Sequence, residues 1–307
     1  MTLVAVTGAT GFIGRHLVRE LPRRGYQVRV LLRRPSAEAM SAPSAVIANL
    51  ADPKGMAAAL AGVNAIVHSS AIGADVSGVP EDDYRVLNTE ATARLARAAQ
   101  QARVGRLVFL SSIRAQSGPT ADVVLTEEMK PQPTDAYGRS KLEAEHELAD
   151  LDIDWVALRL VLVYGRGMRG NLARLERLAR SPYPLPLGGL IGRRSLVSVD
   201  HAVDAVEAVL SAPGPLRRPL IVADAEPLTV PEVVTAMRKG LGRKPGLVRA
   251  PGYLLELACK LGGQPELFRA LNGSLAADPS ALMRLGWMPR TSTAAALEGL
   301  MRVGINP

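Results

Sequence analysis

The chain opens with an apolar run, Leu3-Val4-Ala5-Val6-Thr7, that passes straight into Gly8-Ala-Thr-Gly11-Phe-Ile-Gly14 and then into a stretch with Phe12, Ile13, Leu17 and Leu21 on one helical face. This succession of strand, glycine turn and amphipathic helix restricts the fold more than any other feature. The first glycine allows a tight turn, and the second lets backbone N–H groups approach a phosphate at the helix N-terminus. The third lets the helix lie close on the strand. A pyrophosphate site is therefore expected at the start of the chain.

The pattern that follows supports this expectation. Apolar, β-rich segments (QVRVLL, AVIANL, NAIVHSS, RLVFLSS, IDWVALRL) alternate with helical ones over residues 12–24, 53–60, 82–102 and 135–149. That alternation predicts an α/β fold, a doubly wound parallel sheet of the Rossmann type. With 307 residues there is room for such a core and a smaller lobe. The expected division is a dinucleotide-binding Rossmann domain over residues 1–165 and a mostly substrate-binding lobe over 166–307. The texture changes at that point to the Gly- and Pro-rich SPYPLPLGGLIGRR. Some segments between 195 and 225 are expected to return to the main sheet.

Charge decides less. The net charge of +8 comes from arginines spread over many helices, among them Arg15, Arg19, Arg94, Arg97, Arg174 and Arg177, with no basic tract interleaved with aromatics. This pattern argues against a nucleic-acid partner. The longest apolar run, around residues 155–165, contains Arg159 and is too short for a bilayer, so no membrane partner is expected. One cysteine, Cys259, and a start without a secretory layout point to a cytoplasmic setting. His16, His146 and His201 fall on helices without metal-ligand spacing, so no metal is expected. Asp200 reads as the N-cap of a helix.

At the end of the second strand, where an NAD enzyme keeps an acidic residue for the ribose hydroxyls, the chain has Arg33 and Arg34. Guanidinium groups suit a 2′-phosphate, so NADP(H) is favoured over NAD(H). Further on, Ala136-Tyr137-Gly138-Arg139-Ser140-Lys141 begins a helix and puts Tyr137 and Lys141 four residues apart on one face. A nearby ammonium stabilises a phenolate, which makes such a tyrosine a usable proton donor and acceptor. The strand RLVFLSS ends in Ser111 and Ser112 at the edge where ligands of this fold sit.

With these segments in view, the sequence resembles the extended short-chain dehydrogenase/reductase superfamily, and within it the NAD-dependent epimerase/dehydratase group. TGATGFIG matches the cofactor turn of the family, which implies cofactor contacts from Gly8, Thr10, Gly11, Phe12, Ile13 and Gly14. YGRSK matches its Tyr-x-x-x-Lys. The resemblance implies that Tyr137 transfers the proton, Lys141 holds the ribose and lowers the tyrosine pKa, and Ser112 orients the substrate oxygen; Ser111 is a structural neighbour. It places Asn49 and Leu50 near the adenine, His68, Ser69, Ser70 and Ala71 in the loop beneath the pyrophosphate, and Asn88 at the opening of a long helix. Asn49 stands where the family has Asp, and Ser70 where it has Ala.

The second half resembles enzymes acting on UDP-linked hexoses, such as UDP-glucose 4-epimerase-like proteins and UDP-4-keto-6-deoxy-sugar reductases. The resemblance implies that Arg194 pairs with the diphosphate and that Asn171 binds nearby. For a further C-terminal arginine the sequence offers only Arg269. A homodimer through the helices after the fourth and fifth strands is implied by resemblance alone. The expected activity is C4 keto-reduction or 4-epimerisation of a UDP-hexose, with Arg33 and Arg34 favouring the reductase. Two alternatives stand beside it: a reductase of a non-sugar ketone, and a non-catalytic dinucleotide-binding sensor or assembly subunit.

Overall fold

The computed structural model describes residues 1–35, 44–47, 53–74, 76, 78–263 and 265–303. Seven strands form its main sheet: β1 (Leu3–Thr7), β2 (Gln27–Leu32), β3 (Ala45–Ile47), β4 (Ala65–His68), β5 (Arg106–Ser112), β6 (Trp155–Leu160) and β10 (Arg218–Val222). They lie in the order β10-β6-β5-β4-β1-β2-β3, and every pairing is parallel. The order reverses between β1 and β4, and in such sheets the crevice beyond the C-terminal strand ends at that reversal takes the ligand.

Strands buried on both faces explain why these segments are apolar almost throughout. Val4, Val6, Val67, Val108 and Leu158 face one way, onto Leu17 and Leu21 of α1 (Phe12–Arg23) and onto Val203 and Val206. Ala5, Ile66, Leu107, Phe109 and Ala157 face the other way. There they meet Met56 of α2 (Pro53–Ala59), Leu95 of α4 (Ala91–Gln101), and Ala144 and Leu148 of α5 (Ala136–Ala149). Between β4 and α4 the chain makes α3 (Glu81–Tyr84) and a π-helical segment, Arg85–Glu90, that runs on into α4.

The rest of the chain has a core of its own. Leu172 and Leu175 of α6 (Gly170–Arg180) pack with Leu196, Leu228, Val233, Met237, Leu297 and Met301. Its short strands are β7 (Leu162–Tyr164), parallel to β9 (Leu196–Ser198), and β8 (Arg193–Arg194), antiparallel to β11 (Leu228–Thr229). The segment RRSLVS is thus divided at Ser195 between two small sheets. After β9 come α7 (Val199–Ser211), α8 (Val230–Gly240), α9 (Gly252–Leu261), α10 (Pro265–Asn272), α11 (Ser280–Met283) and α12 (Thr293–Val303).

One expectation is corrected here. Ser198, not Asp200, caps α7: its hydroxyl accepts from the backbone N–H of His201 at 3.0 Å, while Asp200 is exposed in the first turn.

A buried network ties the C-terminal portion to the end of β10. Tyr164 donates to Asp224 at 2.9 Å, and Nδ1 of His201 meets the other Asp224 oxygen at 2.7 Å. The backbone N–H of Arg290 donates to Nε2 of His201, so the ring proton sits on Nδ1 and points at Asp224. Burial and the Asp224 charge push the Tyr164 phenol far above its ordinary range.

Candidate active site

The glycine turn follows β1 directly. Gly8 has φ +69°, and a Cβ there would lie 2.6 Å from backbone atoms of Ser69 and Ser70. A Cβ on Gly14 would lie 2.0 Å from the Gly8 carbonyl oxygen, so α1 seats on the turn only because that Cβ is missing. Gly11 precedes α1 and its N–H donates to the Gly8 carbonyl at 2.9 Å. Thr10 and Gly11 are exposed, whereas Phe12 and Ile13 are half-buried, Phe12 edge-on to His16. The turn therefore offers bare backbone at a helix N-terminus, which fits a pyrophosphate. Arg33 and Arg34 stand exposed just past β2. Asn49 and Leu50 lie outside the described residues.

The loop after β4 packs against this turn. The Ser69 hydroxyl donates to the Thr7 carbonyl at 2.6 Å, and Ser70 and Ala71 are exposed. His68, taken in sequence as part of the loop, is the buried last residue of β4. The Thr92 hydroxyl gives its proton to the Asn88 carbonyl, so it accepts from Nε2 of His68, and Nδ1 is left to accept from Thr7. The ring is held neutral, its pKa lowered to about 3 by burial and then by the charge of Lys141.

Asn88 is buried within the π segment, well inside the helical run rather than at its opening. Its amide oxygen accepts from the Ile72 N–H at 2.8 Å, and its amide nitrogen donates to the Ile72 carbonyl and to the Ser140 hydroxyl. This side chain links the loop after β4 to helix α5. A π turn at such a place widens the helix locally and turns both Asn88 and Thr89 inward.

Helix α5 carries Tyr137 and Lys141. Asp135 caps it, accepting from Gly138 N–H at 2.7 Å. A Cβ on Gly138 would come within 2.3 Å of the Arg114 carbonyl oxygen, so the YGRSK glycine lets the helix press onto the turn Ile113–Ala115 that follows Ser112. Lys141 is buried. Its ammonium donates to the Leu110 carbonyl at 2.9 Å, lies 4.5 Å from the Phe109 ring centre and 6.0 Å from that of Tyr137. Burial lowers its pKa to about 7, and Glu145 opposes the shift. Tyr137 is half-buried, edge-on to Tyr84 at 6.1 Å.

The two serines at the end of β5 have different surroundings. Ser111 donates to Glu145 at 2.5 Å, inside a buried network in which Arg159 grips both Glu145 oxygens and also meets Gln116. The Ser112 hydroxyl accepts from the Arg114 N–H at 3.1 Å, which leaves its own proton to be given elsewhere.

In the other half, Arg194 is largely buried; Nη1 donates to the Pro119 carbonyl at 3.3 Å, while Nε and Nη2 are buried without an acceptor. Asn171 is exposed in the first turn of α6, and no hydrogen bond among the described residues joins it to Arg194. Arg269 is an exposed residue of α10. Sequence reading passed over Arg114, whose guanidinium pairs with Asp135. The signal was present: Arg114 stands two residues after Ser112.

The model of the NAD dependent epimerase/dehydratase family matches residues 4–221. The chain belongs to that family. A UDP-glucose 4-epimerase of Vibrio cholerae is 30% identical over 300 residues, covering 93% of this chain and 90% of its own. A ceramide reductase of Caulobacter vibrioides is 26% identical, covering 87% and 81%. Among solved structures, MoeE5 in complex with UDP-glucose and NAD superposes with a TM-score of 0.75 at 28% identity, covering 98% of each chain.

Proposed function

We propose that this family member is an NAD(P)-dependent oxidoreductase that works on C4 of a hexose linked to UDP, by reducing a 4-keto sugar or by 4-epimerisation. The observation that carries this reading is the placement of Lys141. A buried ammonium is fixed to the β5 backbone one helical turn from Tyr137, beside the strand end that presents Ser112. Bound nicotinamide dinucleotide supplies hydride transfer. The residues of the chain handle the proton and the oxygen. Tyr137 gives its proton to the C4 oxygen or takes it back, Ser112 donates to the same oxygen, and the charge of Lys141 stabilises the phenolate. Gly8, Thr10, Gly11, Phe12, Ile13 and Gly14 form the pyrophosphate cradle; Ser69, Ser70 and Ala71 lie under it, and Asn88 fixes that loop.

The UDP-linked substrate is supported by the UDP-glucose 4-epimerase relative, by UDP-glucose in MoeE5, and by the buried unpartnered nitrogens of Arg194. Arg33 and Arg34 favour NADP(H) and hence a reductase, whereas MoeE5 holds NAD. Mass spectrometry of ligands retained by the purified protein, with turnover assays on UDP-glucose and on a UDP-4-keto sugar, tests the reading. Retained NAD with interconversion of UDP-hexoses marks an epimerase; NADPH oxidation by the keto sugar marks a reductase. Inertness towards both rejects the proposal.

A second reading, reduction of an apolar ketone, is favoured by one observation: Tyr253, Leu254, Leu257 and Leu261 of α9 are exposed. Relatives include the ceramide reductase and a 2-alkyl-3-oxoalkanoate reductase of Stenotrophomonas maltophilia. NADPH oxidation driven by such ketones but not by UDP-sugars would establish it. A cytoplasmic homodimer pairing through the helical run that ends in α4 and through α5 belongs to the main reading, supported by exposed Val86 and Leu87.

A further inference from the structure

Arg114 begins where the candidate catalytic strand ends. Ser112 accepts from its backbone N–H, and α5 presses on its carbonyl through Gly138. Its guanidinium pairs with Asp135, whose other oxygen caps the helix carrying Tyr137. Arg194 reaches the same region from β8, donating to the carbonyl of Pro119, five residues after Arg114.

Three guanidinium nitrogens here are buried without an acceptor, Nε of Arg114 and Nε and Nη2 of Arg194, and one Asp135 oxygen, Oδ2, faces Arg114 without a formed hydrogen bond. Buried polar groups are nearly always partnered in folded proteins, by the chain itself, by water, by an ion or by a ligand; a lone orphan such as Nε of Arg238 occurs elsewhere, but here the nitrogens of two arginines cluster. The neighbouring Arg193 shows the contrast, since it donates to the Pro227 carbonyl and pairs with Glu232. Among the described residues, Asp135 is the only carboxylate paired with either Arg114 or Arg194. Burial, and then the charge of Arg114, depress the proton affinity of Arg194; Arg114 is itself depressed by burial, with Tyr137 opposing. Two like charges thus share one enclosed place with a single paired carboxylate.

We propose that Arg114 is a substrate-binding residue which, with Arg194, clasps an anionic oxygen group of the substrate beside Tyr137. The inference rests on the nucleotide-sugar reading and adds a residue and a selectivity to it. Planar guanidinium forks match the paired oxygens of a phosphate or carboxylate, and the site discriminates against a substrate uncharged at this position. The anionic group is either the diphosphate or a carboxylate on the sugar.

Calorimetric titration of the full chain with UDP, UDP-glucose, UDP-glucuronic acid and NADPH tests this. Arg114→Ala is expected to weaken anionic substrate ligands about tenfold or more and to leave NADPH unchanged, with Arg114→Lys between it and the wild type. Loss with UDP itself identifies the diphosphate; loss confined to UDP-glucuronic acid identifies the carboxylate. Either supports the clasp. Unchanged affinity for all three uridine ligands in Arg114→Ala overturns it while the nucleotide-sugar reading stands. A wild type that binds none of the three overturns both. Asp135→Asn keeps a capping side chain but removes the carboxylate, and is expected to stay within about twofold of the wild type in UDP affinity. If it loses as much as Arg114→Ala, Arg114 acts only by bracing the helix and the proposal fails. Should Arg114→Ala not fold, Arg114→Gln takes its place in the same comparison.

Discussion

Lys141 holds its amine where water does not reach, and this has consequences for both catalysis and stability. Tyr137→Phe removes the transferable proton and leaves Lys141 in place, so turnover should vanish while cofactor affinity, read by fluorescence titration, stays near normal. Lys141→Met should weaken both, and any residual rate should peak at higher pH, because the phenol has lost its cationic neighbour. The stability effect has a definite sign. The amine has a pKa near 10.5 in the unfolded chain and about 7 in the folded one, so between those values the unfolded chain holds more protons. Its burial penalty is complete below pH 7 and disappears as pH rises towards 10.5. Cofactor-free Lys141→Met should therefore gain stability over the wild type at pH 6–7, and the gain should shrink at higher pH. Urea denaturation across that range checks it; parallel curves would show that the lysine is solvated. His68 follows the same rule at lower pH, its penalty growing as pH falls from 6.5 towards 3.

At the scale of elements, the site depends on how closely helices approach strands. Gly138→Ala places a methyl 2.3 Å from the Arg114 carbonyl, a backbone atom that cannot swing away. Helix α5 must shift, and kcat should fall at least about tenfold while NADPH affinity changes less, since misplacing a proton donor by a fraction of an ångström already slows chemistry. Unaltered kcat would show that the helix has slack. At the end of β2, Arg33→Asp should move cofactor preference from NADPH towards NADH, measured as the ratio of kcat/KM values. A wild type that already prefers NADH by a wide margin contradicts the role given to Arg33. The strands and helices themselves were readable because their apolar spacing matches their burial. Ser198 was passed over as a cap because Asp200 has the same chemistry two residues later. What decided between them was where β9 ends.

Across the whole molecule, Asp224 joins Tyr164 and His201 without any solvent exposure of its side chain. Asp224→Ala leaves a buried ring N–H without a partner and the Tyr164 hydroxyl with only its long, 3.4 Å bond to the Thr293 carbonyl, a loss on the order of 2–5 kcal/mol. Guanidine denaturation should show the lower midpoint. Stability within about 0.5 kcal/mol of the wild type would mean that the pocket rewets at little cost.

The sequence by itself determined the doubly wound class, the glycine turn after the first strand, and the spacing of Tyr137, Lys141 and Ser112. These depend on local periodicity and on residues whose chemistry or missing Cβ is tied to one backbone geometry. Only the tertiary structure decided which partners those residues meet. Lys141 lies on Phe109 and the Leu110 carbonyl, Ser111 turns to Glu145, and Asn88 spans from Ile72 to Ser140. Arg114 and Arg194, eighty residues apart in sequence, became neighbours for the same reason. Contacts between distant segments follow from strand order and packing, and nothing in the spacing of a single segment encodes them.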